Sequence, residues 1–295
     1  MKAKEPGPSG LLVVDKQPGM TSHDVVARAR RVLRTREVGH TGTLDPFATG
    51  VLVLGVGEAL KVAAHLTEQD KEYEAVIALG AETDSLDLTG AVIRTAPLPE
   101  LGTTDAPSAG LREALVAEAA RTSQVPPAAS AIHIDGERAH ERLRRGETLV
   151  MPERPVAVRS LQLLAVEAPD RLRVRVHAAK GYYVRALARD LADRLGTAGH
   201  LVELRRLRSG LFTIAEAGPV EGPLVSLNDA LRRLFPSREI ADPDRVQAMR
   251  HGKRIDVADL DLPADTTFVA FDATGAPIAL ARREADLIVV QRGFR

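Results

Sequence analysis

Short apolar runs alternate along this chain with polar stretches punctuated by glycine, and the period of each run predicts an element. Leu11 to Val14 is continuously apolar and leads through Asp15 into Lys16-Gln17-Pro18-Gly19, a buried strand entering a turn. Thr21 with Asp24 three residues on has capping-box spacing, so a helix should start there and run to about Leu33. Val25, Val26, Ala29, Val32 and Leu33 fall on one side of it, with Arg28, Arg30, Arg31 and Arg34 largely elsewhere. Gly39 to Gly50 follows neither period and reads as a long loop. Val51 to Val56 predicts a second buried strand, Glu58 to Leu66 a helical stretch, and Tyr73 to Leu79 a third strand.

Thr95 to Gly110 has the composition of a surface loop, Leu111 to Arg121 reads as a helix, and the polar segment from Val125 to about Pro155 is irregular. Leu172, Val174 and Val176 alternate with Arg171, Arg173 and Arg175, which predicts a half-buried strand with a basic outer face in an antiparallel sheet. Arg185 to Leu195 predicts a helix with Leu187, Leu191 and Leu195 in a row, stopped by Gly196, and Leu201 to Arg208 a further strand. After Gly210 the texture changes. Thr267 to Phe271 and Pro277 to Ala281 flank the turn Asp272-Ala273-Thr274-Gly275, and Leu287 to Val290 reads as a last strand, so a small β-rich module is expected at this end.

With 295 residues, 44% hydrophobic and 27% charged, the chain can build one large or two unequal cores. The lack of cysteine excludes disulfides, thiolate nucleophiles, and cysteine-held zinc or iron–sulfur clusters. No apolar run approaches the ~18 residues that a membrane span needs, and Lys2 and Lys4 have no apolar stretch behind them, so a cytoplasmic protein is expected. The charges balance at 40 against 40 but are segregated. Arg171 to Arg208 carries ten Lys/Arg and three Asp/Glu, Lys16 to Asp45 six and three, and Glu68 to Asp105 two and nine. Such blocks suit a face for a polyanion or, equally, the solvated surface of an arginine-rich protein.

No Walker loop, dinucleotide fingerprint, nucleophile elbow or H-E-x-x-H occurs, and the seven-residue separation of His133 and His140 is poor for a metal. The informative stretch is Gly39-His40-Thr41-Gly42-Thr43-Leu44-Asp45-Pro46-Phe47-Ala48-Thr49-Gly50. Asp45 before Pro46 reads either as the N-cap of one helical turn or as a functional carboxylate on a long loop. The only tyrosines are Tyr73, Tyr182 and Tyr183; the pair lies within Lys180-Gly181-Tyr182-Tyr183-Val184-Arg185, which suits base stacking beside phosphate contacts or an ordinary strand edge.

These residues, with Val14-Asp15-Lys16, Pro18-Gly19-Met20-Thr21-Ser22, Gly57-Glu58-Ala59-Leu60-Lys61, Asp70-Lys71-Glu72-Tyr73, Leu79-Gly80, Thr83-Asp84 and Leu204-Arg205-Arg206-Leu207, resemble the TruB family of tRNA pseudouridine-55 synthases. The resemblance covers about 10–215, in order. It implies an α/β (α+β) catalytic domain on a mixed, mostly antiparallel sheet, with residues 1–9 as a leader and an RNA-clamping insert at about 122–155. A linker at 216–240 and a PUA-like domain at 241–295 would follow. It further implies isomerisation of a T-loop uridine of tRNA by a monomer without cofactor, metal or obligate protein partner.

By position, Asp45 matches the family's catalytic aspartate and Arg185 the arginine that pairs with it, which would lower the Asp45 pKa. Tyr73 matches the tyrosine that stacks on the target base, His40 a histidine against the flipped nucleotides, and Tyr183 and Leu204 pocket-lining positions. Lys16, Lys61, Lys180 and Arg205 are candidate RNA contacts, and the basic strand and the arginine-rich helix would cradle the backbone. Departures are Ala179 for serine, Tyr182 for threonine, and the 130–140 segment, where His133, Glu137 and His140 replace two lysines and a tyrosine. The C-terminal module, with eleven Lys/Arg and twelve Asp/Glu from Glu221 to Arg295, is not expected to grip phosphate strongly. Two other readings stand beside this one: an RNA-folding protein acting without chemistry, and the same chemistry on a target selected by a guide RNA.

Overall fold

The computed structural model describes residues 7–295 apart from 131, 135, 146, 148, 168 and 258–260, and omits the side chains of Arg138, His140, Leu143 and Arg144. Residues 1–6 of the expected leader and the side chain of His140 thus lie outside the described residues. The larger unit is built on strands β1 (Gly10–Lys16), β2 (Val38–His40), β3 (Thr49–Val56), β4 (Lys71–Leu79), β5 (Val158–Glu167), β6 (Arg171–Ala178) and β7 (Gly199–Ser209). Among the described residues these belong to a nine-stranded sheet in the order β5-β6-β4-β7-β3-β1, with the short strands Phe212–Thr213 on β7 and Val225–Ser226 on β1, and with β2 on β3. Every pairing is antiparallel except β7 with β3, the mixed, mostly antiparallel sheet expected.

The apolar runs of β1 and β3 are continuous because both faces of the sheet are covered there. Leu12, Val14, Leu52 and Leu54 join one core with Ala75, Ile77, Leu172, Val174 and Val176, while Leu11, Val13, Val51 and Val53 face a second with Leu66, Phe212 and Ala230. Helix α1 (Ser22–Val32) and helix α2 (Val184–Arg194) lie against the first core through Val25, Val26, Ala29, Leu187 and Leu191. The capping box is present: Thr21 Oγ1 accepts from Asp24 N at 3.1 Å, and Thr21 N donates to Asp24 Oδ2 at 2.9 Å. Val32 leaves the expected apolar face and is 41% exposed in the last turn.

Part of the expected 39–50 loop is strand. Gly39 pairs with Gly55 and His40 with Leu54. A Cβ at Gly39 or Gly55 would lie 3.2 or 3.3 Å from Leu60 Cδ2, so the two bare positions let Leu60 close over this pair. Such packing carries no period in the sequence. Gly50 adopts φ +100°, and a Cβ there would lie 2.2 Å from the Arg206 carbonyl oxygen, so glycine is what lets β3 approach β7 in their short parallel contact.

The segregated charges largely neutralise one another. Arg173 pairs with Glu74, Glu167 and Glu203, Arg175 with Glu74, and Arg208 with Glu72, because β4 lies between β6 and β7. The outer face of β6 is therefore an ion-pair ladder, not the free basic surface that the alternation suggested.

A second, five-stranded sheet forms from Ser237–Ile240, Ile255–Asp256, Thr267–Asp272, Pro277–Glu284 and Leu287–Gly293. Its first strand and the helix Leu227–Leu234 fall inside the segment 216–240 expected as a linker. The strand runs parallel to Thr267–Asp272, a partner about thirty residues away that no local pattern announces. Leu231, Val62, Val269, Phe271, Leu280 and Phe294 form one buried cluster across the seam between the sheets. Truncating Leu231, which has no exposed surface, should cost ~2–5 kcal/mol. Because the side chain is shared, urea denaturation should show one transition moving as a whole; two transitions, with only the C-terminal one shifted, would contradict a common core.

Candidate active site

The stretch between β2 and β3 crosses the first core and is fastened from below through its backbone. Thr41 N and Oγ1 both donate to Val53 O, at 3.0 and 3.1 Å. Ser22, buried in the first turn of α1, accepts from Leu44 N at 2.9 Å and donates to Leu44 O at 3.2 Å. Two buried cations complete the support. Lys16, 1% exposed, donates to the carbonyls of Gln17, Met20 and Pro46 at 3.0, 2.7 and 3.1 Å. Arg206, 2% exposed, donates to the carbonyls of Val51, Thr43 and Gly42 at 2.6, 3.3 and 3.1 Å. Burial lowers the Lys16 pKa to about 8; nearby Asp45 opposes the shift and Arg206 reinforces it.

This frame presents Asp45 to Arg185. The carboxylate does not cap a helical turn: Oδ2 lies 2.9 Å from Arg185 Nε, and Oδ1 accepts from Nη2 at 3.2 Å, a two-point fork. Arg185 stands in the first turn of α2, almost wholly buried, and donates also to Ser85 O at 2.9 Å and Ala129 O at 3.0 Å. Contrary to the sequence expectation, the Asp45 pKa is raised. Burial is the largest cause; Arg185 opposes it, Asp87 reinforces it, and Lys16 opposes it.

Asp87 escaped the sequence reading. It is buried, its Oδ2 lies 3.5 Å from Arg185 Nη1, and its Oδ1 accepts from Ser85 Oγ, Thr89 N and Thr89 Oγ1 at 2.8, 2.9 and 2.6 Å. The preceding Leu86 has φ +60°, a left-handed conformation that costs a side-chain-bearing residue ~1–3 kcal/mol. The signal that could have found Asp87 is the dense turn chemistry of Asp84-Ser85-Leu86-Asp87-Leu88-Thr89-Gly90.

Tyr73 on β4 stands opposite Arg206 on one side and Val176 on the other, half-buried against the core that holds Leu44, Ala48 and Leu204. Tyr183 precedes α2 at its N-cap, and burial raises its pKa above the usual phenol value, with Ser130 and Arg185 opposing the shift. His40 ends β2 with its ring edge against His23 at 5.3 Å between centroids, and its buried Nδ1 has no hydrogen-bond partner among the described residues. Burial lowers the His40 pKa, helped by His23 and Arg206, which favours the neutral ring.

Of the other candidates, Lys16 lies near Asp45 but not as a free RNA contact, and Lys61, Lys180 and Arg205 are engaged in ion pairs. Lys16 points inward to carbonyls, as described. Lys61 pairs with Glu58 at 2.5 Å and donates to Gly293 O at 2.7 Å, at the seam with the second sheet. Lys180 is exposed and paired with Glu68, and Arg205 pairs with Asp15 at 2.9 Å. In the 122–155 segment, Ser123–Gln124 pairs with Arg154–Pro155, and His133–Ile134 with Glu137–Arg138. His133 is exposed, and Glu137 pairs with Arg145. Among the described residues no group of three or more His, Cys, Asp or Glu could hold a metal ion, and no helix is long and apolar enough to cross a membrane.

Replacing Arg206 by Met should leave buried carbonyls unpaired at ~1–3 kcal/mol each. The denaturation midpoint should fall, and amide exchange should speed up first across residues 41–53. Uniform acceleration over the whole sheet would show that the guanidinium does not support this loop.

Comparison with known proteins identifies the family. A protein of Nocardia farcinica named tRNA pseudouridine synthase B is 44% identical over 295 residues, covering 96% of this chain and 93% of that one. One of the same name from Corynebacterium glutamicum (strain R) is 46% identical over 259 residues, covering 83% and 84%. The solved structure of an H/ACA RNP bound to a substrate RNA containing 2'-deoxyuridine contains a chain that superposes with a TM-score of 0.65. At 20% identity, covering 97% of this chain and 85% of that one, it is a likeness of fold. Residues 30–184, from α1 to the start of α2, match the N-terminal domain of the TruB family pseudouridylate synthases. With relatives 44–46% identical over more than four fifths of each chain, the chain belongs to the TruB family.

Proposed function

We propose that this protein converts a uridine in the T-loop of tRNA, position 55, to pseudouridine, with Asp45 as the reacting carboxylate. The observation that carries this reading is the fork between Asp45 and buried Arg185 on the 39–50 stretch, in a chain of this family. Isomerisation breaks the C1′–N1 bond, turns the base and joins C1′ to C5, while a proton leaves C5 and N1 gains one. Atoms and electrons balance within one nucleotide. Asp45 acts at C1′, where positive charge develops as the N1 bond breaks, and Arg185 fixes its orientation. Tyr73 stacks on the base near the C5 proton. His40, neutral and with a free Nδ1, lies against the flipped nucleotides, and Tyr183 and Leu204 line the pocket. Extruding the base costs about a few kcal/mol, which contacts to the RNA must offset.

Those contacts are best sought away from the neutralised face of β6. Arg31, Arg34 and Arg36 are exposed at the end of α1, beside the strand that carries His40, whereas Arg28 pairs with Glu221 and Arg30 holds Val38 O. We read residues 10–215 as the catalytic unit, working alone as a monomer, with 122–155 as the clamping insert. The pairing of Ser237–Ile240 with Thr267–Asp272 supports a PUA-like unit that begins near Ser237.

Mapping pseudouridine in an unmodified tRNA transcript incubated with the purified protein tests the reading. Product at the T-loop with the parent chain, and none with Asp45→Asn, is the expected result. Binding without product in the parent chain would favour an RNA-folding role. Because burial raises the Asp45 pKa, the acid limb of kcat should lie above the ordinary carboxylate range. Ionised Asp45 then opposes folding at neutral pH, and that cost is relieved as pH falls through its raised pKa, so the acid loss of activity should precede any unfolding. Asp87→Asn should move this limb to lower pH, since one negative neighbour is gone, and should reduce kcat by about 10–100-fold as Arg185 loses an anchor. An unmoved limb would show that Asp87 does not act on Asp45. Removing Arg31 and Arg34 together should weaken tRNA binding and flatten its salt dependence by about one unit of slope per lost phosphate contact; an unchanged slope would place the RNA elsewhere.

A further inference from the structure

Gln124 opens the 122–155 segment and is 1% exposed, yet the reaction as described gives it no role. Its carboxamide bonds in both directions to the backbone of one residue: Nε2 donates to Tyr183 O at 3.1 Å, and Oε1 accepts from Tyr183 N at 2.9 Å. Tyr183 is the N-cap of α2, and its own side chain makes no capping hydrogen bond. Only a carboxamide places one donor and one acceptor side by side to pair with a single residue's N–H and C=O, as a neighbouring strand would. A carboxylate lacks the donor, and an aliphatic side chain lacks both.

The residues after Gln124 continue the attachment. Val125 O accepts from Arg189 Nη2 at 2.9 Å, and Ala129 O accepts from Arg185 Nη2 at 3.0 Å. Gln124, Val125 and Ala129 are thus laced to the first two turns of α2, and the Arg185 nitrogen that holds Ala129 also donates to Asp45. From these contacts we infer that Gln124 is a positioning residue, which ties the seating of the 122–155 segment to the angle of Arg185 and through it to Asp45. This rests on the reading of Asp45 and Arg185 as the reacting centre. RNA settling against the segment loads the start of α2 through the carboxamide, and a loosened α2 terminus swings the guanidinium out of its fork.

The test is Gln124→Met, which keeps the volume and removes both hydrogen bonds, assayed on a tRNA transcript beside the parent chain. For the folded variant, kcat should fall about 10–100-fold while KM for tRNA changes little. The acid limb of kcat should move to higher pH, because Asp45 loses part of its counter-charge. Unchanged kcat and limb, or activity falling only in proportion to the folded fraction, would overturn the inference and leave a purely structural glutamine. Should Gln124→Met not fold, Gln124→Glu, which keeps the acceptor, decides on the same readouts; failure of both to fold would also overturn it. No pseudouridine from the parent chain would instead defeat the functional reading on which the inference stands.

Discussion

Buried cations that hold backbone carbonyls are the constraint from which the rest of the site follows. Lys16 and Arg206 are almost without exposed surface, and each directs three donors at carbonyl oxygens of the 17–20 turn or of the stretch from Gly42 to Val51. Burying such charges costs several kcal/mol apiece, and carbonyl dipoles recover it only if the backbone keeps its shape. Relaxing the loop would therefore strand two charges. Lys71, nearly buried, follows the same logic below the sheet, donating to the carbonyls of Thr67 and Gln69 at 2.6 Å each, and burial lowers its pKa to about 8. Carboxylate partners would have neutralised these cations and removed positive charge from the neighbourhood of Asp45.

The balance at Asp45 depends on that choice. One guanidinium, that of Arg185, serves two carboxylates, Asp45 through a fork and Asp87 from 3.5 Å. Asp87 has other donors, from Ser85 and Thr89, so it anchors Arg185 without drawing it away. Burial and Asp87 raise the Asp45 pKa, and Arg185 and Lys16 oppose them. The result is a carboxylate held by strong directional contacts whose pKa is nonetheless raised.

Charge along the chain proved a poor guide to charge on the surface. The acidic block contributes β4 and the basic block β6 and β7, and the sheet order places β4 between them. What reads as a cationic face one strand at a time becomes Arg173 and Arg175 against Glu74, and Arg208 against Glu72. The exposed arginines at the end of α1 belong to a less conspicuous run.

The sequence by itself determined what depends on neighbours a few residues away. The capping box at Thr21, the alternation at 172–176, the leucine row of α2 and the hairpin at Asp272 are local, because pleat, helical turn and tight turn each fix side-chain direction within a short window. The resemblance carried in its motifs singled out Asp45, Arg185, Tyr73 and Tyr183 as well. Only the tertiary structure decided the pairing of Gly39 with Gly55, the strand at Ser237–Ile240, Asp87 under Arg185, the carboxamide of Gln124 on Tyr183, and the direction of the Asp45 pKa. Each of these is a contact or a burial between segments far apart in the chain. Its energy comes from desolvation and from close approach, and neither is a property of any one stretch of residues.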